Sequence, residues 1–252
     1  MSVRFAPGQG QGRLVQSFDD RPPRAGVDRF SARAVLPRHR HRYGYASVVL
    51  AGTFTEASFC GLMPVKPGDV LLHGPFDSHC DYGHGGSCTI QLLRLPWVDD
   101  RIEGHFRVSD PDELARIAEN DPQAAMEVLT QRMRPAPVTD RHWTHDLATA
   151  LRSADPLSLQ EWATRMGVRP EALSRGFRHY FGTSPKLYRL EARSRRAWQQ
   201  AVRSSQTLTA IAHECGFADL AHLSRSMRAL TGAPPSAWRA AGSSVHTDCG
   251  RS

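Results

Sequence analysis

The 252-residue chain lacks the features that mark membrane, exported and disulfide-built proteins. No apolar run approaches the ~18 residues that a membrane-spanning helix needs. The N-terminus, MSVRFAPGQGQGR, lacks the apolar core of a secretory signal, which predicts a cytoplasmic protein. The five cysteines are odd in number and form no CxxC pair, which favours reduced thiols over a disulfide framework.

Excess positive charge is absent from most of the chain and concentrated in one part. Residues 140–242 hold 15 Lys/Arg against 8 Asp/Glu, whereas the remaining residues hold 17 of each. A basic domain is the electrostatic footprint of a polyanion partner such as nucleic acid. A solvated basic face would have the same composition, so charge alone leaves both interpretations open.

The character of the sequence changes along the chain and predicts an α+β multidomain protein. Residues 1–28 are rich in Gly, Pro, Gln and Arg, and we expect a flexible arm. In residues 29–105, short β-type runs separated by Gly/Pro turns predict a barrel or sandwich. Residues 106–139 predict a helical connector with two Asp-Pro helix starts, followed by the linker RPAPVTD. Residues 140–242 predict an all-α domain, and the polar tail 243–252 is expected to be disordered.

One arginine-bearing segment occurs twice in the basic region. LSRGFRHYFGTSP (residues 173–185) and LSRSMRALTGAPP (residues 223–235) share Leu, Ser, two Arg, Gly and Pro at an offset of 50 residues. Upstream, a small residue and a glycine recur at an offset of 49: Ala163 and Ala212, Gly167 and Gly216. Each copy therefore predicts a helix, a tight turn at glycine and a second helix, which is the anatomy of a helix-turn-helix.

The second helix of each copy is predicted to have a buried and an exposed side. The buried stripes consist of Leu173 with Phe177 and Leu223 with Met227, each four residues apart. Between the copies, about 18 residues predict a helix roughly 27 Å long. Such a strut can present two recognition helices to successive major grooves, ~34 Å apart. A helical-repeat protein that binds another protein is the alternative, but it normally needs three or more copies.

Residues 140–239 resemble the DNA-binding domain of AraC/XylS-type transcription regulators through the signature GF…LSR…(M/F)R…G…P. The resemblance implies two helix-turn-helix subdomains joined by a long helix, with base contacts from the exposed side of each second helix. The matching positions are Glu171, Ser174 and Arg175 in the first copy and Leu220, Ala221, Ser224 and Arg225 in the second. Arg178 and Arg228, three residues further on, are expected to face the DNA backbone.

The sequence departs from this family at the start of each recognition helix. Arg169 and Ala218 stand where a polar cap residue is usual, and neither side chain caps as Ser or Thr does. Leu220 can touch a thymine methyl group but cannot hydrogen-bond a base. We therefore expect base recognition by the second copy to depend mainly on Ser224 and Arg225.

The β-rich part resembles the cupin-type sensor domain of the same family. PRHRHRYGYASVVLAG fits the first cupin motif and GDVLLHGPFDSH fits the second. The resemblance implies a cupin-like β barrel in which His39, His41 and His79 converge at the mouth. These imidazoles could hold zinc or iron with an open position, or bind a small organic effector together with Tyr45.

The metal set of the cupin motif is incomplete in this sequence. Tyr45 occupies the position of the glutamate that completes the ligands in metal-binding cupins. His73, Cys80 and His84 are close in sequence and are candidate substitutes. A barrel that retains its histidines without a metal is the alternative.

These observations predict a DNA-binding transcription regulator whose cupin-like domain senses a small effector, with no catalytic residue assigned. The resemblance implies double-stranded DNA, a small-molecule effector and RNA polymerase as partners, and it allows a homodimer. The alternatives are a metal-responsive regulator and a cupin-type metal-dependent enzyme that carries a DNA-binding domain. A nonspecific architectural DNA binder is disfavoured because the chain has a second, dedicated domain.

Overall fold

The computed structural model describes residues 17–19, 21–84, 89–96, 102–137, 142–153 and 158–248. Strands dominate the first part of the chain and helices the last. The strands are β1 Ser17–Asp19, β2 Gly26–Ser31, β3 Val35–His41, β4 Tyr45–Ala51, β5 Phe54–Ser58, β6 Gly61–Val65, β7 Asp69–His73, β8 Ser78–Gly83, β9 Thr89–Pro96, β10 Gly104–Arg107 and β11 Arg134–Pro135. The helices are α1 Pro111–Ala118, α2 Pro122–Arg132, α3 Trp143–Arg152, α4 Leu159–Arg165, α5 Pro170–Phe181, α6 Pro185–Arg203, α7 Leu208–Glu214, α8 Leu220–Thr231 and α9 Pro235–Asp248.

The strands form two sheets that face each other. Sheet A has the order β1-β3-β8-β5-β6, and sheet B has the order β11-β10-β7-β4-β9-β2. Neighbouring strands are antiparallel except for the parallel pair β1 and β3. A shared apolar core joins the two inner faces, with Phe54 and Val65 from sheet A and Val49, Leu71 and Ile90 from sheet B. Because side chains alternate along a strand, every other residue points out of this space.

The outer face of sheet B is covered by α1 and α2. Val48, Leu72 and Leu93 pack there against Leu114 of α1 and Leu129 of α2. Both helices begin as expected, since the side chains of Asp110 and Asp121 accept hydrogen bonds from backbone N–H groups of the first turn. The helical connector is therefore part of the sheet region's core.

The sheet region extends beyond the segment expected for it. Strands β1 and β2 begin before residue 29, within the expected flexible arm. Strand β10 ends at Arg107 and β11 lies at Arg134–Pro135, so the expected connector contributes strands to sheet B. Helix α9 continues to Asp248, into the segment for which a disordered tail was expected. Residues 1–16, 20 and 249–252 lie outside the described residues, and the remaining domain boundaries stay predictions.

The last part of the chain contains two similar helix pairs, α4 with α5 and α7 with α8. The turns within them contain Gly167 and Gly216, whose φ angles of 64° and 74° lie in the left-handed region as predicted. The predicted stripes are buried, with Leu173 at 2 % and Leu223 at 0 % exposure. Between the pairs, α6 has 19 residues and is about 28 Å long. No helix among the described residues combines the length and apolar character needed to cross a lipid bilayer.

Candidate nucleic-acid interface and effector pocket

Helix α5 presents a polar side to solvent. Glu171, Arg175 and Arg178 are exposed, and Ser174 is half-buried beside them. Helix α5 begins at Pro170 without a side-chain cap from Arg169, as the sequence predicted. Proline compensates in part, because its missing N–H leaves one fewer donor to satisfy at a helix start.

Helix α8 presents the equivalent side. Leu220, Ala221, Arg225 and Arg228 are exposed, and Ser224 is half-buried. The structure therefore places every predicted base-contact position of both copies on an accessible side, with apolar stripes on the opposite side.

The expectation that the second recognition helix lacks a cap is wrong. Asp219 is the cap residue of α8, and its carboxylate accepts a hydrogen bond of 2.6 Å from the backbone N–H of His222. The sequence comparison placed the cap at Ala218, one residue too early. Asp219, a preferred cap residue directly before the helix, was the local signal that could have identified it.

Strand β3 separates two chemically different environments. The inner side of sheet A receives His39 and His41, while the outer side receives Arg38 and Arg40. The alternation in the sequence Arg-His-Arg-His follows the two-residue period of a strand. One strand thus places imidazoles between the sheets and guanidinium groups against the helical domain.

The three predicted histidines converge between the sheets. The ring centroid of His39 lies 4.2 Å from that of His79 and 5.1 Å from that of His41. One ring nitrogen from each histidine lies within 4.8 Å of those of the other two. Tyr45 joins them, because its hydroxyl is 3.0 Å from His79 Nε2 in a buried hydrogen bond.

Burial holds these histidines neutral. Burial and the neighbouring His39 lower the pKa of His41 to about 3. The same two causes lower the pKa of His79 well below its ordinary value. Two ring nitrogens, His41 Nε2 and His79 Nδ1, are buried without a hydrogen-bond partner. The cluster therefore presents lone pairs or N–H donors that a ligand could satisfy.

A fourth histidine, His73, differs from these three because its surroundings favour the protonated, charged form. Its Nε2 lies 3.3 Å from Glu56 Oε2 and its Nδ1 lies 3.1 Å from Asp77 Oδ2, with all three side chains buried. Burial opposes the charge of His73, but the two carboxylates outweigh it and raise its pKa to about 10. The sequence analysis considered His73 only as a substitute ligand and missed both carboxylates.

The other two candidate substitutes do not join the cluster. The thiol of Cys80 points out of the sheet toward the helical domain and contacts the carbonyl of Tyr180 at 3.4 Å. The ring of His84 is hydrogen-bonded to Thr55 Oγ1 at 2.7 Å, in an exposed setting. Strand alternation explains the position of Cys80, because it neighbours the inward-facing His79.

Apolar side chains line the space next to the histidines. Asp81 follows His79 on the same side of β8 and lies directly opposite Glu56 on β5. Burial and Glu56 raise the pKa of Asp81 well above its ordinary value. Beside Asp81 is a small cavity lined by Phe30, Leu36, Phe54, Ile90 and Leu92. The interior between the sheets therefore combines a polar end with an apolar end.

The outer side of β3 is attached to both helix pairs. Arg38 forms a buried ion pair with Glu191 of α6, with Nη2–Oε2 2.8 Å, and donates to the carbonyl of Phe181 at the end of α5. Arg40 donates to the carbonyls of Leu230 and Ala229 near the end of α8, at 2.7 and 2.9 Å. The C-terminal ends of both recognition helices are thus held by the strand that carries His39 and His41.

A loop beside the pocket also reaches the second pair. Phe76, between β7 and β8, is fully buried and packs edge-on against Trp198 of α6 and Trp238 of α9. Its φ of 61° is unusual for a residue with a side chain, so packing overrides a backbone preference there. The next residue, Asp77, accepts the hydrogen bond from His73.

Comparison with known proteins identifies the helical domain. Residues 162–241, which include both recognition helices, match the family described as a helix-turn-helix domain. The chain is also similar to a transcriptional regulator from Chromobacterium violaceum whose crystal structure is described as containing an AraC-type DNA-binding domain. The two sequences are 32 % identical, and the match covers 88 % of the Chromobacterium chain. The helical domain is thus similar to the helix-turn-helix domains of transcriptional regulators.

The similarity to a curated protein extends over about a third of this chain. The HTH-type transcriptional regulator GbdR of Pseudomonas aeruginosa is 35 % identical over 81 residues, which are 32 % of this chain. This chain spans only 22 % of the length of that relative. ToxT of Vibrio cholerae aligns over 86 % of this chain, at 9 % identity and a TM-score of 0.37. The Chromobacterium structure covers 38 % of this chain with a TM-score of 0.36.

Proposed function

We propose that the protein is a sequence-specific DNA-binding transcription regulator with an effector-binding β region. One observation carries the DNA-binding part: two matched helices, α5 and α8, each present two exposed arginines from equivalent positions. Those residues are Arg175 and Arg178, Arg225 and Arg228. In a helix-turn-helix protein this side of the second helix enters the major groove. The domain's net positive charge of +7 supports a polyanionic partner.

The strut between the pairs supports recognition of two sites by one chain. Helix α6, at about 28 Å, is comparable with the ~34 Å between successive major grooves on one face of DNA. Each pair then serves as one helix-turn-helix subdomain. We expect one molecule to recognise two elements whose centres are about 10 base pairs apart.

Selection of bound sequences from a random DNA pool tests the proposal. The full chain should enrich sequences that contain two short elements separated by about one helical turn. Enrichment without any shared element would contradict sequence-specific binding and favour an architectural DNA binder.

We propose further that the space between the sheets, a cupin-like barrel, is the effector site. His39, His41, His79 and Tyr45 supply polar groups, and the cavity beside Asp81 supplies apolar contacts. The cavity itself is only about 20 Å³, so an organic molecule with a polar group at one end would enter by displacing the apolar side chains that line it. The effector would act on DNA binding through β3, whose Arg38 and Arg40 hold the ends of α5 and α8.

A metal effector is the second candidate, because three imidazoles fit zinc or iron. His39 Nδ1 donates to the carbonyl of Pro37 at 2.9 Å, which leaves Nε2 as its lone-pair nitrogen. One ring nitrogen of His41 and one of His79 lie within 4.8 Å of a His39 ring nitrogen, which completes a three-histidine donor set. A bound ion would supply an open coordination position for a ligand.

Metal analysis of protein purified without a histidine tag separates the two candidates. Near-stoichiometric zinc or iron that disappears in His39→Ala/His41→Ala supports the metal. A metal-free protein whose DNA binding responds to an organic inducer, with the response lost in that variant, supports the organic effector.

We favour regulation over catalysis in the β region. Tyr45 stands where metal-dependent cupins have a glutamate, and the nearby Glu56 is engaged by His73. The relatives that match the helical domain are named as transcriptional regulators. As part of this proposal, the regulator contacts RNA polymerase, can form a homodimer and is cytoplasmic.

A further inference from the structure

A crevice of about 330 Å³ lies where the sheet region, α3 and α6 meet. Phe59 contributes from the sheet region, and Arg152 contributes from the end of α3. The remaining lining residues share one side of α6 at spacings of three and four: Ala192, Arg195, Arg196 and Gln199. Among the described residues, the lining contains three guanidinium groups and no carboxylate. This volume lies within the usual range for small-molecule sites, ~300–1,000 Å³.

The three arginines differ in how they are satisfied. Arg195 is compensated, because it forms an ion pair with Glu103 and donates from Nε to the carbonyl of Pro75 at 2.8 Å. Arg196 donates to the backbone carbonyl of Arg152. The Nε of Arg152 is buried and has no hydrogen-bond partner. Within the described part of the chain, no ion pair with a carboxylate is found for Arg152 or Arg196.

We propose that this crevice binds a small molecule bearing a carboxylate or phosphate group. A buried N–H without a partner destabilises a fold, and a planar guanidinium matches an oxyanion with two parallel hydrogen bonds. Arg152 and Arg196 are the residues that bind the anion. The apolar part of the molecule contacts Ala192 and the edge of Phe59. This site is separate from the histidine cluster, and the inference stands whether or not the helix pairs bind DNA.

Thermal unfolding of the full chain tests the site with two probes, inorganic phosphate and benzoate, at ionic strength matched with chloride. The wild type should show a saturable rise in Tm with at least one probe. In Arg152→Gln/Arg196→Gln, the probe concentration at half-effect should rise about tenfold or more, because two charge-assisted contacts are lost. A response to phosphate alone identifies a phosphate ligand, and a response to benzoate indicates a carboxylate with an apolar body.

Two controls locate the effect. Lys186→Gln removes one exposed positive charge from the same helix and should respond like the wild type. Arg175→Ala/Arg225→Ala removes charge from the recognition helices and should also respond like the wild type. If Arg152→Gln/Arg196→Gln responded to the anion as strongly as these control variants do, the anion would bind elsewhere and the proposal would fail. A wild type that responds to neither probe would also overturn it.

A gain-of-function variant keeps the proposal testable if the double variant does not fold. Ala192→Glu places a carboxylate in the crevice on the helix that carries Arg196. Its Tm in anion-free buffer should exceed that of the wild type, and neither probe should raise it further. An Ala192→Glu protein that responds to phosphate or benzoate as the wild type does would contradict the site.

Discussion

The two helix pairs are alike on the side that faces solvent and unlike on the side that faces sheet A. The first pair shares a continuous core with the sheet, in which Phe177 and Phe181 pack with Ala57, Phe59 and Cys80. The second pair has its own core, to which Phe76 of the sheet region contributes. The two copies thus share an exposed, arginine-bearing side and differ in how they attach to the sheets.

The polar contacts that attach the two helix pairs to the sheets also differ. A buried ion pair between Arg38 and Glu191 accompanies the first pair, whereas Arg40 binds backbone carbonyls of the second. Removing one partner of a buried ion pair is strongly destabilising, because the other charge stays buried without its partner. The carbonyl of Leu230 that accepts from Arg40 is also buried, but it carries no full charge. We therefore expect removal of Arg38 to destabilise the protein more than removal of Arg40.

The largest expected effect compares Arg38→Met with Arg40→Met. Arg38→Met should lower the free energy of unfolding by about 3–5 kcal/mol, because the buried carboxylate of Glu191 loses its hydrogen-bonded ion-pair partner. Arg40→Met should cost about 1–3 kcal/mol, the range for losing hydrogen bonds from a charged group. Denaturant titration measures both. The double variant Arg38→Met/Glu191→Met should recover most of the stability that Arg38→Met loses. If Arg38→Met and Arg40→Met lost equal stability, the proposed difference between the two attachments would be wrong.

The next effect concerns DNA recognition. Arg175→Ala and Arg225→Ala should each weaken binding to a selected site by about 1–3 kcal/mol and relax the preference at one element only. Titrations against sites with either element scrambled measure the loss. Uniform weakening across all sequences would mean that these arginines contact phosphates instead of bases.

A smaller effect concerns the helix starts. Asp219→Ala should destabilise the protein by about 1 kcal/mol, because the N–H of His222 loses its acceptor. Arg169→Asp should stabilise it by up to about 1 kcal/mol by giving α5 the cap that α8 already has. Thermal unfolding of both variants measures the difference. A neutral Asp219→Ala would show that the cap contributes nothing measurable.

The smallest effect concerns the phosphate contacts. Arg178→Ala and Arg228→Ala should each reduce the slope of log affinity against log salt by about 1, with little change in sequence preference. Anisotropy titrations at several salt concentrations provide the slope. An unchanged slope in either variant would place that arginine away from the DNA backbone.

Features that depend on neighbouring residues could be predicted from local patterns in the sequence. The glycine turns at Gly167 and Gly216 and the buried Leu173 and Leu223 followed from spacing alone. The convergence of His39 with His79 followed from strand alternation and the motif resemblance. Asp219 was missed because the comparison with the family pattern placed the cap one residue early.

Features that depend on distant parts of the chain could not be predicted in this way. Arg38 and Glu191 are 153 residues apart, and nothing local to either residue identifies the other as its partner. Glu56 lies on β5, outside both histidine motifs, so its contact with His73 appears only when the sheets are assembled. Asp77 is only four residues from His73, in the turn between β7 and β8. The crevice at Arg152 exists only because α3 and α6 pack together.

The most direct test of the account measures binding of the full chain to a selected two-element site and to versions with either element scrambled. For the wild type, scrambling either element should weaken binding. Arg175→Ala should reduce the effect of scrambling at one element and Arg225→Ala at the other, so that each variant discriminates less at a different half of the site. If both variants lost discrimination at the same element, or if neither did, the assignment of one element to each helix pair would be wrong.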